Sequence, residues 1–276
     1  MNYLFFGYVM TMPETSFSLR PKRPREISPH ASSPDYSEIG IAIIQGKGQK
    51  ALKLIHEGSS FALIEKSSHL ITLAIHNSPN QELIETLISL ANRHILNIEP
   101  QGLGCTPLFA AIAAGNTQIV QLLLEKGVNP NLRNKYGRTP LYHTIWFYPT
   151  TSILNEMLKK KKCNPQEVAP TIITIASLLI KHGADIDATV ENKTSLHTYL
   201  NGRLVERIDP EVISYFISEG ADSNKVLRNI PTSPQLMLKI DMAVQKGLFQ
   251  RKCAVEDALK TDLAPIVLRN LVLEYV

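Results

Sequence analysis

The chain has 276 residues, enough for one solenoid with flanking segments or for two small domains, and its 44% hydrophobic content allows a buried core. A formal net charge of +4, with a pI near 8.8, is too mild a basic bias to imply a nucleic-acid partner by itself. The three cysteines, Cys105, Cys163 and Cys253, are odd in number and far apart, which argues against a disulfide framework or a zinc site and fits a reducing, intracellular compartment.

The opening MNYLFFGYVM is apolar but short, with no basic residue before it and no small-residue cleavage site after it, so it does not read as a signal peptide. Either translation starts at Met10 or Met12, or these apolar residues pack onto the body. No later run approaches the ~20 apolar residues of a membrane span. Residues 13–36 are rich in Pro, Ser and charge, cannot bury enough to order themselves, and are expected to form a disordered basic arm together with what precedes them. Within that arm, Lys22, Arg23 and Arg25 stand among prolines. They read either as a short nuclear-import signal or as a solvated stretch of tail.

Helical periodicity begins near Ser37. EIGIAIIQGKGQKALKLIHEG predicts two short helices around Gly46-Lys47-Gly48, and SSHLITLAIHNSPNQELIETLISLANRHI predicts a second helical pair. The third pair is the clearest. Thr106 is expected to cap its first helix by accepting a backbone N–H. Pro107 sits at the first helical position, where its missing N–H costs nothing. Ala110, Ala111, Ala113 and Ala114 keep that helix thin, and Gly115 ends it. Ile119, Val120, Leu122, Leu123 and Leu124 form the apolar face of the next helix, and Gly127 closes it with a left-handed turn. Asn134 through Gly137 supply a tight turn.

Thr106-Pro107-Leu108 recurs 33 residues later as Thr139-Pro140-Leu141. A second marker runs in phase: Gly127-Val128-Asn129, Gly183-Ala184-Asp185 and Gly220-Ala221-Asp222. The fourth unit is too long by roughly 22 residues, which places an insertion somewhere within 146–170. That insertion holds ILNEMLKKKKCNPQE, expected to be a short helix ending in a basic run. Lys159–Lys162 read as a solvated helix end or as part of a basic face, and Trp146 as a core residue. The fifth unit, 194–224, opens with Thr194-Ser195-Leu196-His197, and Asn192 replaces its turn glycine. Residues 235–260 again look helical.

The stretch TPLFAAIAAGNTQIVQLLLEKGVNPNLRNKYGR is similar to the ankyrin repeat, as is the 33-residue period. The resemblance implies about five repeats, with Ser68-His69-Leu70 standing where Thr-Pro-Leu is expected, and an all-α ankyrin-repeat solenoid. It implies that His197 is structural. It also implies recognition of a protein partner by the projecting fingers and the exposed side of the first helices. The positions left free to read that partner are then Arg133, Lys135, Tyr136, Arg138 and His143 on the middle finger. On the finger before it they are Pro100, Gly102, Leu103, Cys105 and Ala110, and on the finger after it Ala188, Val190, Glu191, Lys193 and Thr198. Basic groups framing Tyr136 suit a partner with an acidic surface.

Near the C-terminus, Leu263, Pro265, Leu268, Leu271 and Tyr275 belong to an apolar stripe at helical spacing. The segment resembles the end of a SOCS box, and also the Leu-Pro start of the F-box-like helix found in ankyrin proteins of poxviral type. In both families it docks an adaptor of a cullin ubiquitin ligase. The competing expectation is a helix that caps the last repeat, which every solenoid needs.

Catalytic chemistry has little footing. The sequence carries no glycine-rich phosphate loop, no HExxH and no GxSxG. Cys163 follows four lysines that would favour its thiolate, but no histidine is tied to it by sequence. The expectation is therefore a disordered arm over 1–36, an ankyrin-repeat domain over 37–225 and a helical module over 226–276. The protein is expected to be a non-catalytic, monomeric interaction scaffold in the cytoplasm, or in the nucleus if the import run is read. No cofactor, metal or small-molecule substrate is expected. Alternatives are a substrate adaptor of a cullin ligase, or a secreted pathogen effector acting in a host cell, a layout that ankyrin proteins of intracellular bacteria also resemble.

Overall fold

The computed structural model describes residues 38–57, 68–78, 80–100, 105–147, 168–201, 208–223 and 234–259. Among them every regular element is a helix, apart from one isolated bridge between Val190 and Lys193. The helices are α1 (Glu38–Ile44), α2 (Gly48–His56), α3 (Ser68–Asn77), α4 (Gln81–Leu90), α5 (Arg93–Leu96), α6 (Pro107–Ala114), α7 (Thr117–Glu125), α8 (Pro140–Phe147), α9 (Val168–Lys181), α10 (Ser195–Asn201), α11 (Pro210–Ser218) and α12 (Pro234–Leu259).

They form two rows. Helices α1, α3, α6, α8 and α10 stack in order as the first row, and α2, α4, α7, α9 and α11 as the second. Small residues permit the close stacking: Ala110 and Ala111 of α6 are completely buried beside Leu108 and Ile112. The second row buries a stripe at helical spacing, Ile119, Val120, Leu123 and Leu124 in α7, and leaves Gln118, Gln121 and Glu125 outside. Residues 148–167 fall between α8 and α9, and the stacking carries on through that repeat in register. The basic run, Cys163 and most of the predicted insertion lie outside the described residues, as does the side chain of Trp146.

Local chemistry sets the helix ends. Asn80, Asn116 and Asp209 cap α4, α7 and α11, each side chain accepting a backbone N–H of the first turn at 2.9–3.1 Å. Thr139 and Thr194 accept from Tyr142 and His197 at 3.2 Å. Thr106 does not behave as predicted: its hydroxyl makes no cap bond to α6 and is buried without a hydrogen-bond partner. The cap geometry of the repeat survives there on Pro107 at the start and Gly115, at φ 68°, at the end. Gly127 closes α7 at φ 79°, and Asn192 takes a left-handed φ of 62°, both as predicted, while its neighbour Glu191 also turns positive, at 52°.

A ladder of Asn and Asp side chains ties the second repeat to the third, the third to the fourth and the fourth to the fifth. The Asn97 carboxamide oxygen accepts from the Asn129 N–H at 2.9 Å. Asn131 accepts from Asp185 N–H and donates to Gly183 C=O, both at 2.8 Å. Asp187 accepts from Asp222 N–H at 3.3 Å. Because Asn131 and Asp185 flank the insertion, this ladder carries the repeat phase past it.

The last repeat is covered by α12. Ile240, Ala243 and Val244 are buried on it, and Gly247 permits close contact, since a Cβ there would stand 2.6 Å from the Ser214 carbonyl oxygen of α11. The Ser214 hydroxyl hydrogen bonds Gln250 at 2.9 Å, and Lys246 pairs with Glu211 at 2.6 Å. Helix α12, upstream of the segment around Leu263–Tyr275, thus covers the last repeat. Leu263, Pro265, Leu268, Leu271 and Tyr275 lie outside the described residues, as do Lys22, Arg23 and Arg25.

Candidate partner-binding finger

The finger between α7 and α8 is organised by one side chain. The Asn134 carboxamide oxygen accepts from the N–H groups of Tyr136 and Arg138, both at 3.0 Å, and the Asn134 backbone pairs with Arg138 and Gly137. Gly137 completes the turn at φ 71°. The short polar loop therefore holds its tip in one shape without a core of its own.

Four cationic or aromatic groups meet there. Tyr136 is 51% exposed, the largest exposed ring of the described repeats. The Lys135 ammonium lies 5.2 Å from its ring centre and the Arg138 guanidinium 5.4 Å. Arg138 also stands 5.9 Å from the ring of buried Tyr142, so it sits between two aromatic faces, within cation–π range of both. That arrangement presents positive charge and an aromatic edge together.

Arg133 has a different part. Its guanidinium donates to the carbonyls of Gly137 at 2.8 Å and Thr189 at 3.0 Å, clamping this finger to its neighbour. His143 lies beneath the tip with its ring edge against Phe109, centroids 5.2 Å apart at 71°. Its Nδ1 is out of reach of solvent, and burial, reinforced by Arg138, pushes its pKa down to about 3. It stays neutral at physiological pH and adds no charge to the tip.

The flanking fingers offer less than the repeat pattern suggests. Pro100, Ala110, Ala188 and Val190, expected as free positions, are buried. Gly102 and Leu103 lie outside the described residues. Glu191 and Lys193 are exposed, and Thr198 spends its hydroxyl on the Thr194 carbonyl at 3.1 Å. Cys105 sits 3.9 Å from His76 Nε2, but the pair is not poised for nucleophilic work. Burial and nearby Glu99 push the thiol up to about 11, and burial holds the imidazole below its usual range. Tyr142 was not singled out from sequence. Its place four residues after Arg138, on the first helical turn, was the available signal.

Residues 42–167 match the family model for ankyrin repeats in three copies. The chain is similar to the ankyrin repeat protein OPG189 of monkeypox virus, 27% identical over 69% of this chain and 37% of the relative. It is also similar to a putative ankyrin repeat protein of Rickettsia felis, 33% identical over 38% of this chain and 40% of the relative. Part of it is similar to the human transient receptor potential cation channel subfamily A member 1, 28% identical over 35% of this chain and 10% of that protein. The chain thus spans about two fifths of the length of the viral and rickettsial relatives. Ankyrin repeats in general mediate protein–protein interaction and are typically non-catalytic. Among the described residues no helix is long and apolar enough to cross a membrane. With the repeat motif, the two-row stack and the inter-repeat ladder in agreement, the chain carries an all-α ankyrin-repeat solenoid.

Proposed function

We propose that this chain is a non-catalytic interaction scaffold that grips an acidic surface of a protein partner with the finger carrying Lys135, Tyr136 and Arg138. The observation that carries the reading is the stack of Lys135 and Arg138 against an exposed Tyr136, on a turn made rigid by Asn134. Charge and ring are pre-organised, so little side-chain freedom is lost on binding. Arg133 and His143 serve this site indirectly, the first by clamping the finger and the second by filling the space beneath it.

A second reading concerns context. Viral and rickettsial relatives support action inside a host cell, with the chain as a pathogen effector. Within that reading, Leu263, Pro265, Leu268, Leu271 and Tyr275 dock an adaptor of a cullin ligase. What supports this is that α12 already covers the last repeat, so those residues are not needed as its cap.

The test is affinity capture from host-cell lysate with three folded baits: the native chain, a Tyr136→Ala/Arg138→Ala variant and a 1–260 truncation. Partners lost only with the double variant belong to the finger. Ligase subunits lost only with the truncation belong to the C-terminal segment. Identical captures by all three baits refute both.

A further inference from the structure

Two cations hold equivalent places in adjacent repeats. Arg138 immediately precedes Thr139, and Lys193 immediately precedes Thr194. Both threonines cap first-row helices, α8 and α10, by the same 3.2 Å bond, and those helices pack against each other. Packed helices lie about 8–10 Å apart, so the two positions repeat at that spacing. The fingers that carry them are tied together, because Arg133 of the first donates to the Thr189 carbonyl of the second at 3.0 Å. The second finger is itself closed, with Val190 and Lys193 exchanging backbone hydrogen bonds of 2.9 and 3.0 Å. Lys135 and Lys193 are exposed, and neither forms an ion pair among the described residues. Exposed Tyr136 stands on the first finger, and exposed Glu191 on the turn of the second.

We propose that the two fingers together read an extended acidic segment of a protein partner, in polyproline II conformation, with its acidic side chains three residues apart. The first acidic group meets Lys135 and Arg138 beside Tyr136, and the second meets Lys193. A polyproline II helix has three residues per turn and rises about 3.1 Å per residue, so residues i and i+3 share one side about 9 Å apart. That matches the repeat spacing. Same-side residues of a β-strand lie about 7 or 13 Å apart, and those on one turn of α-helix about 5–6 Å, and neither matches. Two turns of α-helix span about 10.5 Å and are the rival to be separated by experiment. The aromatic face of Tyr136 suits proline at the intervening positions, as aromatic-lined proline sites do. Glu191 repels a continuous acidic run, which leaves the two intervening residues uncharged. The proposal rests on the finger tip being the partner-binding site and adds the shape and spacing of what binds there.

Fluorescence polarisation at low salt, with labelled peptides titrated by the full chain, tests this. The probes are a proline-rich peptide containing Glu-Pro-Pro-Glu, an isomer of the same composition with its glutamates adjacent, and a helical peptide with glutamates seven residues apart. The expected result is that the Glu-Pro-Pro-Glu peptide binds most tightly. Lys193→Ala, at an exposed position and with the fold checked by circular dichroism, then weakens that peptide by about fivefold and leaves the isomer little changed. Tyr136→Ala weakens both proline peptides. The proposal is overturned if the two proline peptides bind equally, if the helical peptide binds more tightly, or if Lys193→Ala leaves the Glu-Pro-Pro-Glu peptide unaffected. In each of those cases the finger tip itself stands as a binding site if Tyr136→Ala still weakens what binds. Binding that is insensitive to Tyr136→Ala, or no binding by any peptide, overturns the proposal as well, and the first of these also removes the finger tip.

Discussion

The finger at 128–139 turns on Asn134 and Gly137, whereas the finger at 185–194 turns on Glu191 and Asn192 with a bridge between Val190 and Lys193. Both hang from the same Asn/Asp ladder, yet they spend their side chains differently. The first keeps Lys135 and Tyr136 at an outward tip with Arg138 half-buried beside them, and Asn134 and Arg133 secure it. The second folds Ala188 and Val190 inward and accepts two non-glycine residues at positive φ. Equivalent positions in a repeat are therefore not equivalent in what they can touch. One finger is a relaxed turn with a charged tip, the other a strained turn packed into its neighbours.

The largest expected difference between them is in acid. His143 lies under the first finger, and the corresponding residue under the second is Thr198, which does not titrate in this range. Burial lowers the His143 pKa from 6.5 to about 3 in the folded chain. The unfolded chain then binds the proton first as the medium acidifies. The stabilising contribution is complete above about pH 6.5 and is lost as pH falls toward 3. By about pH 5 the loss is on the order of 2 kcal/mol. Thermal melts at neutral and mildly acidic pH check this: His143→Leu flattens the acid slope, whereas Thr198→Ala leaves it unchanged.

Next in size is the ladder. Asn131→Ala removes two inter-repeat hydrogen bonds and costs about 1–2 kcal/mol, and Asp187→Ala, which removes the longer bond to Asp222, is also destabilising. Urea denaturation at neutral pH measures both. Smaller still is the contrast between the turns. Glu191→Gly relieves a left-handed residue and raises stability by about 1 kcal/mol. Gly137→Ala introduces one and lowers it by a similar amount, although nothing lies within 4 Å of the added methyl. Equal effects of the same sign at the two turns would remove the distinction drawn between them.

What the sequence made legible follows from backbone demands. A positive φ requires Gly or Asn, and a helix start tolerates Pro, so Gly127, Asn192 and Pro107 were readable, as was the repeat phase across the insertion. What it hid depends on neighbours distant in the chain. Ala188 and Val190 occupy finger positions that other contexts leave open, and only packing shows them closed. Thr106, Thr139 and Thr194 share a motif position, yet two of them cap and one does not. The Asn129/Asn131 and Asp185/Asp187 pairs were visible as residues, but their bonds run between repeats.

The proposed recognition rests on the exposed tip at Lys135 and Tyr136, while Arg133 at the base of the finger is bonded to Gly137 and Thr189. The most direct test compares Tyr136→Ala with Arg133→Ala, measuring the melting temperature of each and its affinity for a partner captured by the native chain. The account predicts that Tyr136→Ala melts with the native protein but binds at least about tenfold more weakly, as loss of an aromatic anchor does. It predicts that Arg133→Ala lowers the melting temperature by releasing Gly137 and Thr189. A Tyr136→Ala protein that binds as tightly as the native chain would contradict it.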